Sequence, residues 1–184
     1  TGSTYGKIEG IATETTPIAP LTLYGKNKRD CEHLIQESGV DHVMLRFATV
    51  FGTSPRVRLD LLVNDFVYQA IHNKQIVLFE GHFRRTFLHS TDAAMIYPFV
   101  LDNFDRMRNN IYNVGDESMN YTKKDIALKI NEYLDYYLHE AEIGFDPDKR
   151  DYEVDYSRLK SLGYKAQISL DEGIHELIKI LSVL

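Results

Sequence analysis

Residues 42–51 read HVMLRFATVF, nearly continuous in apolar side chains apart from Arg46. That is the pattern of a single parallel strand covered on both faces, and Gly52-Thr53-Ser54-Pro55 ends it. Ahead of it, Tyr24, Lys28, Cys31, Leu34 and Ile35 recur at helical spacing up to a stop at Ser38-Gly39. Residues 14–20, with Pro17 and Pro20, form a stiffened loop leading into that helix. Behind the strand, residues 58–73 place Leu62, Phe66 and Ile71 on one side, which predicts an amphipathic helix opening near Asp60 as its N-cap. Residues 76–79 are a short strand. Ser90-Thr91-Asp92 opens a helix reaching about Phe104 and bent at Pro98. Residues 111–114 form a further strand, closed by Gly115.

The last third carries the strongest local signals. Thr122-x-x-Asp125 is a capping box for a helix expected to end around Tyr136. Ser169-x-x-Glu172 is another, for a closing helix whose Ile174, Leu177, Ile178 and Leu181 make one apolar stripe. Between them lie an expected strand at residues 139–145, a charged loop at 146–151 and a short helix from Ser157 to a stop at Gly163. Strands and helices alternate throughout, so the fold class is α/β. No internal repeat or low-complexity segment interrupts it.

Composition narrows the partners more than the fold. Nine Phe and 12 Tyr without Trp are ample for a core, and the excess of Tyr suits half-wet surfaces such as a ligand cleft. A formal net charge of −6 argues against nucleic acid as the main partner. The arginines nevertheless cluster, at Arg56/Arg58, Arg84/Arg85 and beside Lys149 at Arg150, a pattern suited to a small anionic ligand. The single cysteine, Cys31, excludes an internal disulfide, fits a reducing cytoplasm and is expected to act as a small buried hydrophobe. No apolar run approaches the ~20 residues that a membrane span needs.

The candidate chemistry lies at the start of the chain. Thr1-Gly2-Ser3-Thr4 is a hydroxyl-rich turn, set some twenty residues ahead of Tyr24-x-x-x-Lys28. Residues i and i+4 share a helix face, so Tyr24 and Lys28 point to one place. A phenol with a pKa near ~10 is a poor base at neutral pH, and a neighbouring ammonium favours its ionised form. Such a tyrosine removes a proton from an alcohol whose carbon gives up hydride. Thr1 and Ser3 are placed to hold the hydroxyl oxygen in line, although the same residues also make an ordinary turn. A second pair at this spacing, Tyr156 and Lys160, has no hydroxyl turn upstream and is expected to be a surface turn.

Six segments in order resemble the extended short-chain dehydrogenase/reductase superfamily, in particular its nucleotide-sugar epimerases and dehydratases. They are Thr1-Gly2-Ser3-Thr4-Tyr5-Gly6, Tyr24-Gly25-Lys26-Asn27-Lys28, Leu45-Arg46-Phe47-Ala48-Thr49-Val50-Phe51-Gly52, Arg85-Thr86-Phe87-Leu88-His89, Tyr112-Asn113-Val114-Gly115 and Lys149-Arg150-Asp151. The family's Gly-rich dinucleotide turn is absent from this sequence, which therefore resembles the C-terminal part of such an enzyme. The resemblance implies the C-terminal part of a Rossmann-type parallel sheet, at residues 1–55, plus a smaller α/β substrate-binding subdomain at 56–184. Residues 84–105 are expected to pack back on the first.

The resemblance also implies roles. Tyr24 is the base, Lys28 assists it and binds the nicotinamide ribose, and Phe47 adjoins the cofactor, which is NAD or NADP. Thr1 and Ser3 orient the sugar hydroxyl. Thr49, where the family usually has Asn, faces the substrate, a nucleotide-diphosphate sugar, and Arg85 and Arg150 grip its diphosphate. Asn64 either reaches the same ligand or belongs to a solvated helix face. His89 is a structural residue at a helix entry. Where 4,6-dehydratases of the family carry Asp and Glu after the Thr, this chain has Gly2 and Ser3, which suits hydride chemistry at one carbon: a 4-epimerase or 4-dehydrogenase. A dehydratase with its acid and base elsewhere, and a non-catalytic sugar-nucleotide-binding module, are the alternatives. Residues 58–66 resemble a bacterial branch acting on surface-polysaccharide sugars such as GDP-heptose. A homodimer through the Tyr24 helix is the family's common arrangement.

Overall fold

A computed structural model of the chain describes residues 1–8, 10–142, 144 and 151–183. A 3-10 turn at Gly2–Thr4 precedes β1 (Ile11–Ala12), α1 (Leu23–Glu37), β2 (Val43–Phe47), β3 (Thr49–Phe51) and α2 (Leu62–His72). There follow β4 (Gln75–Leu78), β5 (Arg84–His89), α3 (Ser90–Asp102), α4 (Phe104–Met107), β6 (Asn110–Val114), β7 (Asn120–Thr122), α5 (Lys123–Asn131) and β8 (Tyr137–Glu140). Last come β9 (Glu153–Val154), α6 (Ser157–Lys160) and α7 (Leu170–Leu181).

The pairing is predominantly parallel: β1 with β9, β2 with β6, β3 with β5 and β4 with β8, while β7 joins β5 antiparallel. The apolar run at 42–51, expected as one strand, is two. The Ala48 N–H donates to the Val114 carbonyl at 2.9 Å where the β2–β6 ladder ends, and β3 then pairs with β5. That step moves the chain from one hydrophobic core to another. Tyr5, Ala48, Leu88, Ile96, Tyr112, Val114 and Tyr156 belong to the first core, and Phe51, Val63, Phe66, Ile76, Phe87, Ile126, Ile174 and Leu177 to the second. Successive side chains of a strand face opposite ways. On β5, Phe87 therefore enters the second core and Leu88 the first, and its sheet divides the two. Tyr152, Leu159 and Tyr164 also pack in the first core, so the chain returns to it after residue 151.

Local signals set the element ends. Thr22 caps α1 through Gly25 N–H, and both capping boxes form, Thr122 with Asp125 and Ser169 with Glu172. The helix expected to reach Tyr136 stops at Asn131, and Tyr136 turns into the second core. Asp60 is not the cap of α2: its carboxylate accepts from Arg58, and Leu61 takes the N-cap position without a side-chain bond. At α3 the cap is His89, whose Nδ1 accepts from Thr91 N–H at 3.3 Å. Asp92 instead accepts from the backbone N–H groups of Gln167 and Ile168, 3.0 Å each, and ties the late loop to α3. The strand expected at 139–145 is β8, earlier in the chain.

Two further expectations about single residues are overturned. Cys31 is exposed, because α1 buries only Gly25. Tyr156 is 2% exposed rather than on a surface turn. Burial raises its phenol well above the ordinary value, with Thr86 opposing. Lys160 pairs at the surface with Glu117 at 3.2 Å. Among the described residues, no helix is long and apolar enough to cross a membrane.

Candidate active site

The hydroxyl turn is built by its own side chains. Thr1 Oγ1 accepts from Ser3 N–H and donates to Ser3 Oγ, both at 3.4 Å, and Thr4 Oγ1 donates to the Thr1 carbonyl at 2.9 Å. α1 meets this turn at Gly25, where a side chain would not fit: a Cβ there would lie 2.8 Å from the Ser3 carbonyl oxygen and 2.9 Å from Pro20 Cβ. The close approach brings Tyr24 and Lys28 alongside Thr1 and Ser3. All four line one cleft of about 670 Å3. Lys28 Nζ lies 5.6 Å from the centroid of the Tyr24 ring.

The floor is the end of β2 and the start of β3, with Leu45, Phe47, Ala48, Thr49 and Val50 on its lining. In open α/β sheets ligands sit beyond the carboxyl ends of strands, and this cleft obeys that rule. Phe47 and Thr49 therefore stand with the four residues above, as the sequence suggested. Arg58, one of the clustered arginines, also lines it, and three further lining residues carried no expectation: Leu61, Tyr97 and Tyr152. The Tyr97 ring lies 6.0 Å from that of Phe47, and Gly2 leaves room beneath the Tyr152 hydroxyl. Arg58 is 62% exposed and bound to Asp60 through Nη2 at 2.6 Å and Nε at 3.1 Å. Its place just after a strand's carboxyl end was a usable signal; Tyr97, on a helix of weak periodicity, offered none. Lys28 and Arg58 are the charged side chains on the lining, and no carboxylate is among the described residues there.

Other candidates lie elsewhere. Asn64 is 1% exposed, which excludes a solvated face, and its amide is committed to backbone. Nδ2 donates to the Gly52 and Arg58 carbonyls at 3.1 and 3.0 Å, and Oδ1 accepts from Gly52 N–H at 3.0 Å. It shapes the loop after β3 and is absent from the cleft lining. Arg85 is 3% exposed; its Nη1 donates to the Arg84 carbonyl at 2.9 Å and its guanidinium stands 6.0 Å from the Phe83 centroid. It does not line this cleft either. Arg150 lies outside the described residues. Among the described residues, no three His, Cys, Asp or Glu side chains are grouped to hold a metal ion.

Beneath the cleft, the one charge of the apolar run acquires a reason. Arg46 is 3% exposed and meets the Glu32 carboxylate with Nε at 3.1 Å and Nη2 at 2.6 Å, while Nη1 donates to Tyr5 Oη at 3.1 Å and the Glu14 carbonyl at 3.2 Å. Tyr5 Oη donates to Asn113 Oδ1 at 2.6 Å. Burial raises the Tyr5 phenol above its ordinary value, with Arg46 opposing. Burial likewise works against the charge on Arg46, but the bonds to Glu32 and Tyr5 outweigh it.

The sequence matches the family described as NAD dependent epimerase/dehydratase over residues 1–115. It is 28% identical over 194 residues to the "Putative UDP-glucose 4-epimerase" of Methanocaldococcus jannaschii, covering 96% of this chain and 59% of that protein. A UDP-glucose epimerase of Bacillus subtilis, itself uncharacterized, is 35% identical over 106 residues, 55% of this chain and 33% of that one. The structure superposes with a TM-score of 0.87 on a mutant UDP-glucuronic acid 4-epimerase of Bacillus cereus, solved with a fluorinated substrate analogue and NAD. That pair is 23% identical, over 98% of this chain and 59% of the other. With the UDP-glucose 4-epimerase of Thermus thermophilus, solved with NAD, the TM-score is 0.79 at 21% identity, over 97% and 60%. The chain thus spans about three-fifths of the archaeal relative and of these structures. With a match that runs from the hydroxyl turn through α1 to the end of β6, the chain belongs to the NAD dependent epimerase/dehydratase family.

Proposed function

We propose that this chain is the substrate-gripping and proton-handling part of a nucleotide-sugar 4-epimerase or 4-dehydrogenase. The observation that carries the reading is the convergence of Thr1, Ser3, Tyr24 and Lys28 on one cleft beyond the strand ends. The residues present fit the nicotinamide end of NAD: an apolar floor at Phe47 and Ala48 for a flat ring, with Tyr24 and Lys28 beside it for the ribose hydroxyls. NAD, when bound there, accepts and returns hydride at the sugar carbon. Tyr24 takes the proton of the sugar 4-hydroxyl and gives it back, and Thr1 and Ser3 hold that oxygen in line. Lys28 keeps a positive charge within reach of the Tyr24 ring.

A lining with cations and no carboxylate among the described residues suits an anionic nucleotide sugar. It also lacks the additional acid and base that elimination of water needs, which favours the epimerase reading over a dehydratase. The UDP-sugar relatives point to UDP as the nucleotide. We assign residues 1–55 to the dinucleotide-binding unit and most of 56–184 to the sugar nucleotide. The exposed Leu23, Leu34 and Ile35 of α1 support a homodimer through that helix, and the single cysteine supports a cytoplasmic site. The test is turnover of UDP-sugars with NAD by the full-length gene product, with the C4 epimer or 4-keto product read by NMR. Tyr24→Phe is expected to lower kcat by about 10²–10⁴-fold, the usual worth of a general base. Retained turnover in that variant overturns the assignment of Tyr24.

A further inference from the structure

Three side chains that the reaction itself does not use, Arg46, Glu32 and Tyr5, join the two walls of the cleft. We propose that Arg46 is a positioning residue, fixing the Tyr24 and Lys28 helix against the hydroxyl turn through its ion pair with Glu32. The inference rests on the reading of Tyr24 as the base.

Within this chain, little else fixes the rotation of α1. Helices generally take their rotation from an apolar face buried in the core. Of the 15 residues of α1 only Gly25 is buried, so in this chain that constraint is nearly missing. What remains at its N-terminal end is the Thr22 cap and the contact of Gly25 with the Ser3 carbonyl. Farther along, it is Glu32. Tyr24, Lys28 and Glu32 are spaced four apart and so lie on one stripe. An anchor at Glu32 therefore sets the direction in which Tyr24 and Lys28 point. The pair is forked, and a planar guanidinium meeting a carboxylate edge-on fixes direction as well as distance. Both partners are largely removed from water, Arg46 3% and Glu32 12% exposed, so the bond is not screened away as a surface pair would be.

The same guanidinium holds the other wall. Nη1 donates to the hydroxyl of Tyr5, the residue that directly follows the Gly2–Thr4 turn. That hydroxyl donates in turn to Asn113. Arg46 and Asn113 face each other across the β2–β6 ladder, so the strand pair presents both as a rigid base. One planar cation thus touches the turn through Tyr5 and the helix through Glu32, with its own position set by a sheet.

Glu32→Gln and Arg46→Lys in the full-length gene product test this. Glu32→Gln is expected to speed amide hydrogen exchange in α1 by about 10-fold or more and to leave α7, which packs in the other core, unchanged. If nucleotide sugars are turned over, kcat falls by about 10-fold or more while KM shifts by less than about threefold, since the loss is of alignment rather than of binding. Arg46→Lys keeps the charge and loses the fork, and it is expected to lower kcat similarly. The double variant is then no worse than either single one, because both break one link. Unchanged exchange in α1, or kcat losses that simply multiply in the double variant, overturn the proposal. Absence of turnover in the wild-type enzyme refutes the functional reading instead, and the exchange measurement still decides the role of Arg46. Should Arg46→Lys fail to fold, Glu32→Gln decides alone.

Discussion

Replacing Gly25 by alanine sets two effects of opposite sign against each other. In an exposed helix interior the change stabilises by about 1 kcal/mol, because glycine loses more backbone freedom than alanine on folding. The new Cβ, however, would stand 2.8 Å from the Ser3 carbonyl oxygen and 2.9 Å from Pro20 Cβ, with Thr22 Oγ1 at 3.4 Å. Comfortable separations are roughly 3.3 Å for carbon to oxygen and 3.5 Å for carbon to carbon. Neither the Ser3 carbonyl nor the proline ring is the free end of a flexible chain, so α1 must move away by about 0.5 Å. Overpacking of this kind costs about 1–3 kcal/mol, which leaves a net loss of about 0–2 kcal/mol. Catalysis is the more sensitive readout. A misplacement of about 1 Å costs about 100-fold, so half of that at Tyr24 amounts to about 10-fold in kcat. The assay is steady-state kinetics with thermal unfolding on the full-length Gly25→Ala protein. If the contact is not limiting, helix propensity alone raises Tm by about 2–4 °C and kcat stays within about twofold. That pair of results refutes the reasoning.

Alkaline pH should unfold the protein through its buried phenols. Burial pushes Tyr136 up to about 12 and raises Tyr156 and Tyr164 further. A folded-state pKa above the unfolded one gives stability that is complete below about pH 10 and is lost as pH rises towards the folded value, by up to ~1.4 kcal/mol per unit per group. Denaturant midpoints at pH 8, 10 and 11 should therefore fall across the upper interval, and a smaller fall in Tyr136→Phe checks the assignment. Ser169→Ala removes a capping box from α7, the helix that buries Ile174, Leu177 and Leu181 in the second core. It should cost about 1 kcal/mol in chemical denaturation, with Tyr24-dependent turnover unchanged.

What could be read from the chain itself was what local chemistry decides. Both capping boxes formed, and α1 ends at the Ser38 stop. Thr1, Ser3, Tyr24, Lys28, Phe47 and Thr49 line one cleft, since a turn, a four-residue spacing and a strand end are short-range signals. The failures came where distant residues decide. A continuous apolar run gave no sign of the break at Ala48, because the Val114 carbonyl that takes its N–H belongs to a strand some sixty residues later. Cys31 has the side chain of a core residue on a helix that this chain leaves almost bare. Asn64 has ligand-binding chemistry, but a buried amide must first satisfy its own hydrogen bonds, and it does so on the backbone of Gly52 and Arg58.

Arg46 shows how such limits can be turned to use. A charge inside an otherwise apolar strand breaks the local pattern and costs several kcal/mol to desolvate unless partners compensate it. A charge in such a run calls for a carboxylate or hydroxyl from elsewhere in the chain. The structure supplies both, fourteen residues upstream at Glu32 and forty-one upstream at Tyr5. Both partners also adjoin the residues with which the chain would handle a proton. Exceptions to a pattern mark places where one part of a chain holds another, and here the parts held are the hydroxyl turn and the helix that bears Tyr24.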